Sequence, residues 1–284
     1  MPISPDRVQF VFLKLERDLL KLSARQQTEN VHNFRTTTRR VQTLLQQLLS
    51  ERDRNQKKLL KLLNDIRRRA GKVRDLDVQL AALRSLKTPQ EPRRKTQLTQ
   101  GLLELRAKHE KKLRNDLTKE TIREIRKRLK RVAKEADLKS AHDPLTLARQ
   151  MLKRASPPAG KLDEDVLHRY RIAVKSARYA AEFAPKSTES VHFIAQLQRL
   201  QDALGTWHDW MTLTNTAAAR LGDINQSSLV AAIHNVTGGK FRHAIAALSP
   251  AAAVQSVDHT PTTLARSRKA KSKPAETLPT DSAA

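Results

Sequence analysis

Two distant segments of the chain repeat one pattern of histidine and cationic side chains. Each has a His, an Arg three residues later and a cation seven residues after the His: His32, Arg35 and Arg39, then His168, Arg171 and Lys175. Offsets of 0, 3 and 7 span about 60° of an α-helix, so each segment presents these side chains on one face. Arg, Lys and His are the side chains that bind phosphate oxygens. Because the pattern is repeated, we predict that both helices face one shared anion.

The repeat extends beyond the two histidine segments. Arg40 and Arg178 add a further cation to each predicted face. Asp75 lies 43 residues after His32, and Asp209 lies 41 residues after His168, each in a short motif that begins with glycine. These motifs are Gly71–Asp75, which contains Arg74, and Gly205–Asp209, which contains His208. We predict that each glycine opens a new helix, near whose start the helix dipole favours the Asp. Asp75, His208 and Asp209 would then support the cations.

A third cationic face is predicted on a long helix from about Pro92 to Asp137. Its polar face is almost entirely basic and comprises Lys108, Lys112, Lys119, Arg123, Lys127, Lys130 and Lys134. Apolar residues at helical spacing occupy the opposite side. A solvated outer helix would normally intersperse carboxylates along such a face. Two interpretations stay open, a face that contacts the anion and an ordinary exposed surface.

Composition favours a polyanionic partner. The 284 residues carry a formal charge of +26, and residues 1–140 hold 37 Lys and Arg against 17 Asp and Glu. Such a field attracts polyanions. The absence of cysteine excludes disulfides and thiolate chemistry and suits a reducing cytoplasm. No Gly-rich phosphate loop, secretory leader or long apolar segment occurs, so we expect a cytoplasmic protein without a membrane span.

Apolar residues recur at helical spacing, which predicts an all-α fold of about eight helices. The expected breaks are at Pro89 and Pro92, Asp143-Pro144, residues 156–160, Pro185 and Gly238-Gly239. Residues 156–160 separate the two copies of the repeat. We predict one domain over residues 1–250, made of an N-terminal bundle at about 1–155 and a C-terminal bundle at about 161–250. Residues 251–284 are rich in Ala, Ser, Thr, Pro and Lys and are predicted to be a disordered tail.

Two other functions are compatible with individual residues. His168, His208, Asp209 and Asp223 could form the metal site of a phosphohydrolase, although a His-Asp pair also occurs at 142–143. A basic helical protein could also bind DNA weakly and without specificity through charge alone. The few aromatic residues, 4% of the chain, are expected to fill bundle cores rather than stack on bases.

Four motifs in order give the chain a clear resemblance to the CHAD family, the conserved histidine α-helical domain. They are VHNFRTTTRRVQTLL, GKVRDLDVQLAAL, LHRYRIAVKSARYAAEF and LQRLQDALGTWHDWMTL, and the resemblance spans roughly residues 5–248. It implies two four-helix bundles around a basic cavity that binds inorganic polyphosphate, often on polyphosphate granules. Gln42 and Ser176 stand where the family commonly has arginine. The ExExK strand of a triphosphatase domain, which some members carry, is absent.

The sequence therefore predicts a polyphosphate-binding protein rather than an enzyme, with no metal, no cofactor and no membrane partner. The predicted ligand set is His32, Arg35, Arg39, Arg40, Arg74, Lys108, Lys112, Arg123, Lys127, Lys130, His168, Arg171, Lys175 and Arg178. Asp75, His208 and Asp209 are predicted to support it.

Overall fold

A computed structural model describes residues 3–49, 53–87, 91–136, 138, 141–156 and 162–255, and this part of the chain is helical without strands. The nine α-helices within it are α1 (Pro5–Ala24), α2 (Thr28–Thr43), α3 (Arg54–Ser85), α4 (Pro92–Asp116), α5 (Lys119–Glu135), α6 (Pro144–Ala155), α7 (Glu164–Ala181), α8 (Thr188–Leu221) and α9 (Ser228–Gln255). A π-helical turn, Leu44–Leu48, continues α2. The predicted all-α class is confirmed.

Polar side chains begin several of these helices. Asp53, Asp143 and Asp163 each accept a hydrogen bond from a backbone N–H of the first turn of α3, α6 and α7, respectively. Ser187 and Ser190 form a reciprocal capping box at the start of α8. Pro5, Pro92 and Pro144 lie in first turns, where a missing N–H removes no helical bond. The breaks predicted around Pro92, Pro144 and Pro185 are therefore present.

The helices bury three apolar clusters. The first lies among α1, α2, α3 and α5, and the second among α6, α7, α8 and α9. The third cluster joins the C-terminal half of α3 and the N-terminal half of α4 to α8 and α9. It includes Leu80, Leu102, Trp210 and Ile233. Each of the long helices α3 and α8 thus contributes to two clusters. This sharing fixes one half of the protein against the other.

The two halves follow the same order of helix packing. Successive helices from α1 to α4 contact one another, as do successive helices from α6 to α9. Across the halves, α2 contacts α7 and α3 contacts α8, which are the pairs that carry the repeated motifs. Helix α5 has no counterpart in the second half and packs on α1 and α3. The arrangement is compatible with the predicted pair of related bundles.

The predicted core aromatics are buried. Phe34, Trp207, Tyr170, Tyr179, Phe183 and Trp210 are each less than 9% exposed. Phe183 follows α7 but packs into the first cluster, and its carbonyl accepts a hydrogen bond from Ser4 N at 3.1 Å. The end of α7 therefore reaches across to the N-terminal half.

Gly71 and Gly205 do not open helices as the sequence analysis predicted. Both lie inside long helices, α3 and α8. A Cβ atom at position 71 would lie 2.4 Å from Arg35 Nη1, whereas one at position 205 would meet nothing within 4 Å. Gly71 is thus explained by the close approach of a guanidinium group to the α3 backbone. Nothing in the structure explains the glycine at 205.

The predicted basic helix from Pro92 to Asp137 is two helices. Helix α4 ends at Asp116, and the Thr118 hydroxyl accepts a hydrogen bond from Thr121 N to begin α5. Leu113 near the end of α4 and Leu117 in the connection are buried in the first cluster, which stabilises this break. The break contains neither Gly nor Pro, which is why the periodicity ran through it.

Three further boundaries differ from those predicted. Helix α6, assigned to the N-terminal bundle, packs its apolar residues into the second cluster with α7. Gly238 and Gly239 do not break α9, because Ile233 and Ala244 on either side are buried against neighbouring helices. Helix α9 also includes residues 251–255 of the predicted tail, and residues 256–284 lie outside the described part of the chain.

Candidate anion-binding site

Cationic side chains from both copies of the repeat meet between α2, α3, α7 and α8. The charge of Lys175 on α7 acts on His32 on α2, and the charge of Arg39 on α2 acts on Arg171 on α7. We call this group the cationic cluster: His32, Arg35, Arg39, Arg67, Arg74, His168, Arg171, Lys175 and His208. The structure thus brings together the two repeated faces that the sequence predicted to converge.

Two carboxylates, Asp75 and Asp209, lie next to the cluster. Asp75 is 4.0 Å from Arg35 and 64% exposed, so this contact is weak. Burial raises the pKa of Asp209, while Arg171 and Lys175 act in the opposite direction. Two carboxylates cannot neutralise six arginines and lysines, and the cluster therefore keeps a net positive charge.

The Arg35 side chain is held against the backbone of α3. Its Nη1 atom donates to the carbonyl oxygen of Arg67 at 3.3 Å and passes over Gly71, where a methyl group would displace it. Burial lowers the pKa of Arg35, and Asp75 opposes that effect. Gly71 and Arg35, separated in the sequence, are thus one structural unit of the cluster.

Arg67 belongs to the cluster although the sequence analysis did not select it. Burial and the neighbouring charges of Arg39 and Arg35 lower its pKa to about 10. Asn64 Oδ1 accepts hydrogen bonds from Arg67 Nη2 at 3.1 Å and from Gln42 Nε2 at 2.6 Å. Gln42 therefore helps to position Arg67. The sequence feature that could have identified Arg67 is its position one helical turn before Gly71 on the same helix face.

The charge of Lys175 on α7 interacts with cluster side chains of both halves. Burial, followed by the charges of Arg171, Arg35 and Arg39, lowers its pKa to about 8. Burial and the charges of Arg74 and Lys175 also lower the pKa of His32. The same crowding of positive charge thus acts on side chains from both halves. A bound anion would reverse these shifts.

The histidine of α7 lies beside a histidine of α8. The ring centroids of His168 and His208 are 5.0 Å apart, and Trp207 is an edge neighbour of His208. Burial, then Arg171 and His168, lower the pKa of His208 to about 4. The His208 Nδ1 atom is buried and has no hydrogen-bond partner within the described residues. His208 is therefore a neutral imidazole at neutral pH in the free protein.

Arg40 and Arg178, predicted as ligand residues, contact a buried carboxylate instead. Glu182 is 7% exposed and lies 2.5 Å from Arg40 Nε and 3.1 Å from Arg178 Nη1. Arg178 also donates to Gln201 at 2.9 Å and to Gln198, and both guanidinium groups lie within 6 Å of the Tyr179 ring. We call Glu182 with these two arginines the Glu182 clamp. It joins the first half to the second, and the role of Arg40 and Arg178 as ligands stays a prediction.

The remaining predicted cations lie on other surfaces. Lys108 and Lys112 on α4 are exposed. Burial lowers the pKa of His109, and the charges of Lys72, Lys112, Lys108 and Arg69 lower it further. Arg123, Lys127 and Lys130 are exposed on α5, a helix that packs on α1 and α3. No described hydrogen bond or ion pair joins these five side chains to the cluster. Their role as ligands stays a prediction.

The described residues include no group of three or more His, Asp or Glu side chains that could hold a metal ion. His168, His208 and Asp209, which could belong to such a site by sequence, are surrounded by Arg171 and Lys175. Within the same residues, no helix is both long and apolar enough to cross a bilayer.

Replacing Glu182 by Gln should lower the free energy of unfolding by about 2–4 kcal/mol, because two half-buried guanidinium groups lose their carboxylate. Urea unfolding measures the change. The control is Glu189→Gln, which removes the exposed ion pair with Arg149 and should cost less than about 1 kcal/mol. Equal small effects in both variants would show that the clamp does not hold the halves together.

The low pKa of His208 predicts a pH-dependent stability. The unfolded chain binds a proton at this side chain near its ordinary pKa of 6.5, whereas the folded protein does so only at about 4. Stability should therefore fall as the pH is lowered from 6.5 to 4, and His208→Gln should reduce that slope. Nuclear magnetic resonance titration of the ring should give a midpoint near 4. A midpoint at or above 6.5 would refute the assignment.

Comparison with known proteins supports the fold. The CHAD domain family profile matches residues 12–218. The crystal structure of the CHAD domain from the plant Ricinus communis superposes with a TM-score of 0.58 at 18% sequence identity, covering 87% of this chain and 85% of that one. At this identity the likeness concerns the fold alone. No curated protein matches the chain.

Proposed function

This chain belongs to the CHAD domain family, and on that premise we propose that it binds inorganic polyphosphate in the cationic cluster. The observation that carries the proposal is the convergence of both repeated cationic faces on one region. Arg35 and Arg39 come from the first copy, and Arg171 and Lys175 from the second. A polymer with about one charge per phosphate would contact both copies at once.

The electrostatics of the cluster favour a polyanion. Two like charges about 6 Å apart repel by roughly 3 kcal/mol at an effective dielectric constant of about 20. Folding brings several cations of α2, α3 and α7 together with Asp75 and Asp209 beside them, and the repulsion among the cations costs stability. Phosphate oxygens would neutralise the guanidinium and ammonium groups and remove that cost. A site kept at such a cost is typical of function rather than of packing.

Hydrogen-bonding capacity at the cluster supports the same ligand. Arg67 Nε and His208 Nδ1 are buried without a hydrogen-bond partner within the described residues. Buried polar atoms normally have partners, so these two atoms could be satisfied by a ligand. Phosphate oxygens are strong acceptors and would suit the Arg67 donor directly. Protonation of His208 beside phosphate would add another donor.

The cluster suits a polymer without bases better than a nucleic acid. The aromatic rings next to it, Tyr179 and Trp207, are 3% and 0% exposed, so neither offers a face for stacking. The exposed cations of α4 and α5 would attract DNA by charge alone. We therefore infer a preference for polyphosphate in the cluster and weak, nonspecific nucleic-acid binding on the outer surface.

We further propose that the protein binds polyphosphate without hydrolysing it, in the cytoplasm and on polyphosphate granules. A hydrolytic metal ion would need several oxygen or imidazole ligands. At His168 and His208 it would instead meet the positive charges of Arg171 and Lys175. That environment attracts the polymer and repels a divalent cation.

Two matched triple variants test the site. Arg39→Gln, Arg171→Gln and Lys175→Gln remove three charges from the cluster, whereas Arg123→Gln, Lys127→Gln and Lys130→Gln remove three from exposed α5. The cluster variant should lose at least about 30-fold in polyphosphate affinity and the α5 variant less than about threefold. Titration with long-chain polyphosphate measures both, and circular dichroism verifies the helical content.

Duplex DNA titrated in parallel provides the control ligand. Its affinity should fall equally in the two variants, because DNA would respond to net charge rather than to the geometry of the cluster. Equal losses of polyphosphate affinity in both variants would overturn the proposed site. They would indicate binding by the overall charge of the protein.

A further inference from the structure

Lys175 differs from the other half-buried lysines for which a contact is described. The Lys14 ammonium lies 3.4 Å from the Asp18 carboxylate, and the Lys95 ammonium donates to the Leu86 carbonyl at 2.6 Å. Lys175 has neither an ion pair nor a hydrogen bond within the described part of the chain. Arg171, Arg35 and Arg39 act on its charge more strongly than Asp209, which opposes them.

This environment makes the amine of Lys175 a nucleophile near neutral pH. Burial and three arginines lower its pKa to about 8. At pH 7.5 such a pKa leaves roughly a quarter of the amines neutral, against about 0.1% for an ordinary lysine. Only the neutral amine has a free electron pair for attack, and cationic neighbours are an established means of producing it. Lys175 is only partly buried, so a small reagent can reach it.

The same neighbours select the reagent. Arg171 lies one helical turn before Lys175 on α7, and α2, which carries Arg35 and Arg39, contacts α7. All three charges act on the amine, and guanidinium groups bind phosphate oxygens. A small molecule with a phosphate next to an activated carbonyl would place its phosphate on these arginines and its carbonyl carbon beside the amine. Holding two reactants in this way accelerates their reaction. Acyl phosphates have this chemistry.

We propose that Lys175 is a modification site at which small acyl phosphates acylate the chain without a further enzyme. The neutral amine attacks the carbonyl carbon, and the bond between that carbon and the phosphate oxygen breaks. Inorganic phosphate leaves with the electron pair, and the amine proton passes to solvent or to the departing phosphate. The product is a neutral Nε-acyl-lysine, which cannot regain the positive charge.

Acylation removes one cation from the cluster. This consequence rests on the proposed function: an acylated protein should bind polyphosphate more weakly, and bound polyphosphate should protect Lys175. The acylation reaction itself does not depend on polyphosphate binding. The two ideas can therefore fail separately.

The test uses the full chain and acetyl phosphate. Mass spectrometry follows acetylation of each lysine with time between pH 6.5 and 9, with exposed Lys58 and Lys72 and the bonded Lys14 and Lys95 as internal controls. At pH 7.5 Lys175 should react about ten times faster than Lys58, and its rate should level off above pH 8. The rates of exposed lysines should still rise at pH 9. Inorganic phosphate should slow Lys175 selectively.

An uncharged acetyl donor, N-succinimidyl acetate, separates the reactivity of the amine from phosphate binding by the arginines. Lys175 should still react faster than Lys58 with this reagent but with a smaller advantage, and inorganic phosphate should no longer compete. A rate at Lys175 equal to or below that of the exposed lysines with acetyl phosphate would overturn the proposal. If acetylation occurs but leaves polyphosphate affinity unchanged, the modification site stands and the proposed polyphosphate site fails.

Discussion

Positive charges from the two halves of the protein are held close together where α2 meets α7. Arg35 and Arg39 on one side and Arg171 and Lys175 on the other repel one another, and this repulsion adds to burial in lowering the pKa of Lys175. The contact persists because other interactions stabilise it. Trp210, Leu80 and their neighbours form an apolar cluster between the halves. The Glu182 clamp adds a buried carboxylate that binds one arginine from each half.

The cations on the repeated faces of α2 and α7 fall into two groups, those of the cationic cluster and those of the Glu182 clamp. On α2, Arg35 and Arg39 stay in the cluster while Arg40 binds Glu182, and on α7 the cluster ends before Arg178. Arg40 and Arg178 thus share a buried carboxylate, whereas the contact of Arg35 with exposed Asp75 is weak. The two arginines of the clamp position the helices, and the arginines of the cluster supply the charge that a polyanion would meet. Proton binding at His208 and Lys175 is coupled to that same charge.

Sequence periodicity and the repeat were sufficient to predict the all-α fold, the buried aromatic residues and the meeting of the two histidine helices. Interactions between distant residues were not predictable in this way. Arg40 and Glu182 are 142 residues apart, and no local pattern identifies one as the partner of the other. The sequence motif predicts that Gly71 begins a helix, whereas the structure shows that Gly71 makes room for the side chain of Arg35. The helix break at Thr118 lacks Gly and Pro and is stabilised by tertiary packing of Leu113 and Leu117.

If both repeats bind one anion, a short polyphosphate, too short to join two proteins, should bind once per chain. Calorimetric titration of the unmodified chain, Arg39→Gln and Arg171→Gln with this polymer measures the number of binding events. One polyphosphate per chain is expected in all three proteins, with the affinity of that single event reduced in each variant. Two binding events per chain, one lost with Arg39 and the other with Arg171, would show instead that the repeats form separate sites.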